Sequence, residues 1–220
     1  MFTGIIEAVG SITAIKHHAK DMTITVDSGA LDLGDVKLGD SISHNGVCLT
    51  VTRLEGNGYD VDISNETIQR SGFAAIKNGF PINLEKAMQV TSRFGGHIVS
   101  GHVDGVGEII SINYLGNAVE YWIKAPDDIA KYIAEKGSIS IDGISLTTNA
   151  IDGATFKLTI IPHTISQTTM PSYQVGTLVN LEVDVIARYL ERLLLGEKAA
   201  ESNTKKESTM DLLARSGFIG

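Results

Sequence analysis

The segment SISHNGVCLTV (41–51) recurs in altered form as SISIDGISLTT (138–148), and that recurrence decides how the chain is organised. Each copy sets β-branched runs beside a Gly or Asn turn, the composition of strands around a tight connection. The copies lie 97 residues apart (138 − 41 = 97), and the same shift brings other positions into register. Gly4 falls on Gly101, Val9-Gly10 on Val106-Gly107, Thr67-Ile68 on Thr164-Ile165, and Asn83-Leu84-Glu85 on Asn180-Leu181-Glu182. Roughly one position in five is identical over about 88 residues without a gap, a register too long to arise by chance. Two β domains of about 90 residues follow, each near the size at which a lone core is marginal, so packing of the halves or of subunits would relieve both.

Working outward, YDVDIS (59–64) alternates apolar and polar residues, the period of a strand with one wet face, and TFKLTII (155–161) reads as a further strand. Turn signals such as EGNGYD (55–60) and IDGATF (151–156) recur at sandwich or barrel spacing. Helical pattern is rarer. DDIAKYIAEKG (127–137) predicts a helix with Asp127 as cap, Ile129, Tyr132 and Ile133 on one face, and Gly137 after its last turn. VIARYLERLLLG (185–196) predicts a stronger helix ending at Gly196, with an apolar stripe of Val185, Tyr189, Leu190, Leu193 and Leu194. That stripe has no mate after the first repeat. It either packs on its own barrel or joins subunits, and its breadth and occurrence in one half favour the subunit contact. EKAAESNTKKEST (197–209) has linker composition, and MDLLARSGF (210–218) could form one or two loose helical turns.

Composition excludes several classes of function. The 220 residues are 43% hydrophobic and 20% charged, which suits a folded core. A formal net charge of −8 argues against nucleic acid or an anionic membrane as partner, since both demand a basic face. The single cysteine, Cys48, cannot close an intrachain disulfide. No apolar stretch approaches the ~18–20 residues of a membrane span. The start, MFTGIIEAVG, lacks the pattern of a secretory signal, so a cytoplasmic protein is expected.

A duplicated domain makes two similar pockets, suited to a reaction between two copies of one molecule or to plain two-site binding. Catalysis on like molecules needs unlike roles, so positions where the repeat fails are the informative ones. Cys48 faces Ser145, each just after a Gly turn and before Leu-Thr; a buried structural thiol is the plainer reading of the cysteine. His102 faces Ile5, so one half alone offers an imidazole in its Gly-His-Val turn. His97 and His102 lie in GGHIVSGHVDG (95–105), which joins the halves; zinc is not expected there, because no further ligands complete a tetrahedral set. An exposed loop histidine is the default, while the glycines around His102 suit close approach by a flat molecule. Asp184 faces Ala87 and fits either a helix N-cap or a catalytic carboxylate. Thr50, Thr67, Thr147 and Thr164 recur at matched positions, ordinary for strands yet suited as a set to a polar heterocycle. Lys136, after the expected helix, suits a dipole partner or a ligand contact.

MFTGI (1–5), SISHNGVCLTV, GGHIVSGHVDG and SIDGISLT (140–147), in that order and within a duplication, resemble the riboflavin synthase (alpha chain) family of tandem lumazine-binding domains. The resemblance spans about residues 1–195. It implies an all-β protein of two tandem six-stranded antiparallel Greek-key barrels plus a C-terminal helix. The implied domains are 1–97 and 98–195, the second carrying a trimerisation helix at 185–195, followed by a polar tail at 196–220. The implied reaction, the last step of riboflavin biosynthesis, dismutates two molecules of 6,7-dimethyl-8-ribityllumazine. A four-carbon unit passes from one to the other, giving riboflavin and 5-amino-6-(D-ribitylamino)uracil, with no metal or cofactor. The resemblance further implies a homotrimer, with the site between the first barrel of one subunit and the second barrel of a neighbour, and lumazine synthase as a candidate partner.

Residues associated with turnover in that family match Phe2, Thr3, Ser41, Cys48, His102 and Asp184. Substrate-contact motifs match Gly4, Ile5 and Ile6; Cys48, Leu49 and Thr50; and Asp62, Ile63, Ser64, Asn65, Glu66 and Thr67. In the second half they match Gly101, His102 and Val103; Lys136; Ser145, Leu146 and Thr147; and Ile161, Pro162, His163, Thr164, Ile165 and Ser166. Asn65-Glu66-Thr67 against Pro162-His163-Thr164 is a local departure, so Glu66 and His163 need not do the same work. The chemistry asks for removal of a proton from an acidic C7 methyl, addition of a nucleophile at C7 of the partner ring, and face-to-face alignment of the rings. His102 and the hydroxyl residues are the expected proton carriers, and Cys48 or Ser41 the group assisting addition. Two competing readings stand beside the enzyme: a non-catalytic, fluorescent lumazine-binding protein of the same family, and a flavin-binding barrel of an oxidoreductase. The second needs a nucleotide-binding α/β unit, and no Gly-x-Gly-x-x-Gly strand–turn–helix is present.

Overall fold

The computed structural model describes residues 1–200. The first half contains β1 (Ala8–His18), β2 (Asp21–Asp27), β3 (Ser41–His44), β4 (Val47–Glu55), β5 (Gly58–Ile63) and β6 (Pro81–Lys86). The second contains β7 (Gly105–Leu115), β8 (Ala118–Lys124), β9 (Ser138–Ile141), β10 (Ile144–Asp152), β11 (Thr155–Ile160) and β12 (Leu178–Val183). Each set closes into an antiparallel barrel with the same order of neighbours, β1-β2-β5-β4-β3-β6 and β7-β8-β11-β10-β9-β12. The internal duplication read in the sequence is thus a duplication of topology.

The finer geometry repeats too. Register shifts interrupt β1 between Ile12 and Ala14 and β7 between Ile109 and Ser111. A second pair interrupts β4 between Val51 and Arg53 and β10 between Thr148 and Ala150. Such bulges sharpen the local twist and let a short sheet curl shut. Inward side chains, among them Ile24, Val61, Ile82 and Leu84 in one barrel and Ile123, Leu158, Val179 and Leu181 in the other, fill two separate cores. β3–β4 and β9–β10 are joined by two-residue turns, Asn45-Gly46 and Asp142-Gly143, with φ of 45° and 81° in both. Two successive positive φ values define the turn whose twist matches a hairpin, and Asn-Gly and Asp-Gly are the pairs that adopt it with least strain.

Those turns meet at the seam between the barrels. A Cβ on Gly46 would stand 2.8 Å from the Gly143 amide nitrogen, and the reverse distance is also 2.8 Å, so neither position has room for a side chain. Asn83 Nδ2 donates to the Asp142 carbonyl at 3.0 Å, and Asn180 Nδ2 donates to the Asn45 carbonyl at 2.8 Å. The Asn83 amide donates to Asn45 Oδ1, and the Asn180 amide to Asp142 Oδ1. The barrels are therefore related by an approximate two-fold axis and cross-linked by buried, hydrogen-bonded amides.

Three sequence expectations are corrected. The 127–137 helix is confined to α2 (Asp127–Ala130), and Pro126, not Asp127, holds the N-cap position. The chain then tightens through Tyr132 N–H to Ile129 O and Ile133 N–H to Ala130 O. It must enter β9 at Ser138, with Lys136 at φ 64° donating its amide to Thr148 O. Ile129 and Ile133 are buried as expected, but Lys136 stands too far beyond Ala130 to serve the dipole of α2. In β5 the wet face is reduced to Asp62, because Asp60 is buried and accepts from Thr25 Oγ1 at 2.7 Å. The C-terminal helix forms as expected, as α4 (Val185–Leu194), whereas Gly196–Ala200 forms a 3-10 turn where linker was expected from 197 onward. None of the α4 residues is buried. Residues 201–220, with the expected loose turns at 210–218, lie outside the described residues.

Asp142 makes the seam sensitive to pH. Burial pushes its carboxyl up to about 6, although Tyr173 O–H donates to Oδ2 at 2.6 Å and the Asn180 amide to Oδ1. An acid whose folded pKa is raised binds protons on folding, so its stabilisation is present at low pH and is lost as pH rises from about 4 to about 6. His44 has the opposite sign: burial holds it down to about 4, and its contribution is lost as pH falls from about 6.5 to about 4. Asn45 already performs the Asp142 role in the other turn, so Asp142→Asn is expected to fold. Relative to the parent it should become more stable by about 2–3 kcal/mol as pH rises through that window. Denaturant midpoints of both proteins at either end of the window measure the difference.

Candidate functional site

The amino-terminal segment and the segment joining the halves pair across the two-fold axis. Phe2 and Val99 exchange backbone hydrogen bonds of 2.8 and 3.1 Å, and the His97 amide donates to the Thr3 carbonyl at 3.1 Å. Behind each strand lies a buried glutamate. Glu85 accepts from the Thr3 amide, Thr3 Oγ1 and the Gly4 amide at 2.7, 2.8 and 3.0 Å. Glu182 accepts from the Ser100 amide and hydroxyl, the Gly101 amide and the His102 amide at 2.6–3.0 Å. Burial pushes both carboxyls up, while these donors pull them down, toward the charged state that amides recognise.

Each pinned glycine turns its carbonyl toward the other barrel. The Ser145 amide donates to Gly4 O and the Cys48 amide to Gly101 O, both at 2.8 Å. Gly4 and Gly101 have φ of 77° and 83°, and a Cβ on Gly101 would stand 2.5 Å from that of Cys48. Ile6 packs on the core of the second barrel and Val103 on that of the first. The turn belonging to each half therefore packs against the other half's barrel.

That exchange brings Cys48, Glu66, Thr67, Gly101, His102 and Val103 to one cavity of about 220 Å³, with Val47, Arg70 and Ser71 completing it. Ser64 caps α1 (Asn65–Arg70) by accepting from the Thr67 amide, which fixes Glu66 and Thr67 at the rim. The repeat-related positions in the second half are Ser145, His163, Thr164, Gly4, Ile5 and Ile6, with α3 (Pro162–Ser166) in the place of α1. Here Ser145 Oγ lies 2.7 Å from His97 Nδ1.

The remaining predicted residues are more dispersed. Thr50 is exposed on β4 opposite Ser41, and Thr147 on β10 opposite Ser138. Ser41 lines a separate groove with Asp35, Lys86 and Met88. Phe2 is fully buried in the seam, so it shapes the Gly101 turn rather than facing solvent. Leu49 and Ile63 are core side chains of the first barrel; whatever they offer a ligand comes from their backbone. Leu146 and Ile165 pack on the second core. Asp62 accepts from Thr23 Oγ1 at 2.6 Å, and the Asn65 amide donates to Asp21. Ile161, Pro162, His163, Ser166 and Lys136 are exposed. Asp184 follows β12 and acts electrostatically on His97. The positioning roles of Glu85, Glu182, Asn83 and Asn180 were not anticipated, although the matched Asn-Leu-Glu triplets were the available signal.

A family model described as the lumazine binding domain matches twice, over residues 3–87 and 100–184. Both bounds differ by the same 97 residues as the internal repeat (100 − 3 and 184 − 87). A riboflavin synthase of Photobacterium phosphoreum is 54% identical over 219 residues, covering 100% of both chains. A riboflavin synthase of Bacillus subtilis (strain 168) is 43% identical, covering 99% of this chain and 100% of its own. Among solved structures, that of LumP complexed with riboflavin superposes with a TM-score of 0.77 at 26% identity, covering 83% of this chain and 99% of that one.

Glu182→Ala should leave the Ser100, Gly101 and His102 amides without their acceptor. The expected cost is on the order of 2–3 kcal/mol, a fall in Tm of about 5 °C or more. Thermal unfolding followed by circular dichroism checks the expectation.

Proposed function

The chain belongs to the riboflavin synthase family of tandem lumazine binding domains, and from that premise we propose that it dismutates two molecules of 6,7-dimethyl-8-ribityllumazine. One molecule gives up a four-carbon unit and is released as 5-amino-6-(D-ribitylamino)uracil, while the transferred carbons complete the third ring of riboflavin on the other, making the protein a transferase. The observation that carries this reading is the cross-lined cavity holding Cys48 and His102, whose repeat-related positions in the other half are Ser145 and Ile5. Similar walls suit two copies of one heterocycle; unlike side chains suit a donor and an acceptor.

The work divides in physical terms. The C7 methyl proton is acidic because its carbanion delocalises into the electron-poor ring, so a base of moderate strength suffices. His102, exposed on a turn whose amides are fixed by Glu182, offers an imidazole at the mouth of the first pocket. Cys48 stands against the same turn and is the group we assign to assisting addition at C7. Alignment of the two rings removes translational and rotational freedom, a contribution worth several kcal/mol of the barrier. Thr67 and Thr164, on matched helices, suit the polar edge of each ring.

The two rings must face each other, and we read a homotrimer as the means, with the first barrel of one subunit against the second of the next. Supporting this is α4, whose Tyr189, Leu190, Leu193 and Leu194 are 67%, 54%, 76% and 86% exposed. Apolar area of that kind on a single stripe is suited to helix–helix association. A cytosolic setting, where the lone Cys48 thiol stays reduced, fits this reading.

Incubation with the lumazine should yield riboflavin, seen by its fluorescence. Stoichiometric binding without product would instead favour the ligand-holding role suggested by likeness to LumP. In His102→Gln, kcat should fall about 10²-fold or more while lumazine binding is retained. Leu190→Glu with Leu193→Glu should convert the assembly to monomers in sedimentation velocity and lower turnover. An intact trimer would remove α4 from the proposed interface.

A further inference from the structure

We propose that the cavity of about 420 Å³ lined by Asn45, Ile76, Phe80, Asp142, Tyr173 and Leu178 binds a small neutral aromatic molecule whose carbonyl oxygen accepts from Asn45 Nδ2. The cavity shares no residue with the one around Cys48, so the proposal is independent of the reaction assigned there.

The first argument is a buried donor. Asn45 and Asp142 hold matched places in the two hairpin turns, but the outer atoms of their side chains fare differently. Asp142 Oδ1 accepts from the Asn180 amide at 2.7 Å, and Oδ2 accepts from the Tyr173 hydroxyl at 2.6 Å. Asn45 Oδ1 likewise accepts from the Asn83 amide at 2.7 Å, which assigns the oxygen of the side-chain amide and leaves Nδ2 as the outer atom. Asn45 is 7% exposed and lines the cavity, yet among the described residues Nδ2 meets no acceptor. A donor buried to that degree and left unmatched is costly, and an oxygen entering the cavity would match it.

The repeat shows what kind of group fits. Tyr173 falls on Ile76 and Thr169 on Gly72 (173 − 76 and 169 − 72 are both 97). The backbones agree: Ile76 and Tyr173 each follow a 3-10 turn, with φ and ψ of −69° and 153° in one and −73° and 139° in the other. The Gly72 and Thr169 amides donate across the seam to Asn180 Oδ1 and Asn83 Oδ1, at 2.7 and 2.8 Å. On this common frame the second half sets a phenol against its turn, with Thr169 Oγ1 donating to the Tyr173 oxygen at 3.3 Å. The first half has an isoleucine and a glycine at those positions, and so offers space instead. A Cβ on Gly72 would meet nothing nearer than Asn180 Oδ1 at 3.4 Å. An aromatic ring with an oxygen at its edge repeats at Asn45 what Tyr173 does at Asp142.

The walls narrow the class further. Phe73, Ile76, Phe80 and Leu178 give an apolar lining suited to a flat ring, and the volume lies in the range of small-molecule sites. Two charged side chains line the cavity, Asp142 at its buried end and Lys77 at its exposed end. An anion would meet a carboxyl inside and its counter-charge only where water screens it, which selects a neutral molecule. Both barrels contribute walls, so a bound molecule also ties the two halves together.

The test uses the full-length protein with benzamide as the probe, read at the Asn45 side-chain amide in proton–nitrogen correlation spectra. In the parent, benzamide should move that resonance saturably, with one equivalent per chain and a Kd of about 1 mM. Tm should rise as its concentration passes Kd. Ile76→Tyr places in the first half the phenol that the second already has; it should move the Asn45 resonance by itself and weaken benzamide binding about 10-fold or more. Should Ile76→Tyr not fold, Gly72→Thr narrows the same space and supplies the same readout. An Asn45 resonance in the parent that does not move at about 20 mM benzamide defeats the proposal. So does parental affinity in the folded variant, or a response confined to the residues around Cys48.

Discussion

The Cys48 cavity and the repeat-related surface beside Ser145 both depend on a reciprocal exchange of backbone hydrogen bonds, Ser145 to Gly4 and Cys48 to Gly101. Each bond joins a turn of one half to a strand of the other. Neither could form unless the turns were held from behind, and Glu85 and Glu182 hold them. Placing a carboxylate inside a protein is costly, and only several well-directed donors offset it. Three donors converge on one glutamate and four on the other, so the expense of burial becomes rigidity in the two turns.

Energetics and symmetry are linked through this arrangement. A barrel of this size has little apolar interior, and a second barrel adds its own core without enlarging the first. The seam contributes something different: buried asparagines whose bonds to the opposite turn form only when both turns are in register. Polar contacts of this kind specify one docking geometry more sharply than a smooth apolar face could. The Cys48 cavity inherits that definition, because its walls are built from both sides of the seam.

Much of this was legible in the sequence because repeats expose themselves at a single shift. The strands around SISHNGVCLTV and its counterpart, the two-fold multiplicity, and the residues flanking Gly101 could all be read directly. The cross-lining of pockets could not. Sequence comparison pairs Gly4 with Gly101, whereas the fold pairs Gly4 with Ser145, and only three-dimensional closure reveals the exchange. The helix expected over 127–137 was over-read for a related reason. Its periodic apolar residues are buried, but the path into β9 interrupts the hydrogen-bond ladder after one turn. Asp60 misled the strand pattern because a buried carboxylate with hydroxyl and guanidinium partners looks, in sequence, like a wet face.

The borrowed walls also bear on how such a duplicated gene can diverge. His102 stands where the other repeat has Ile5, and its imidazole lines a cavity on the sibling repeat rather than on the repeat that encodes it. A substitution in the turn of either copy is therefore felt across the seam, in the wall of its sibling.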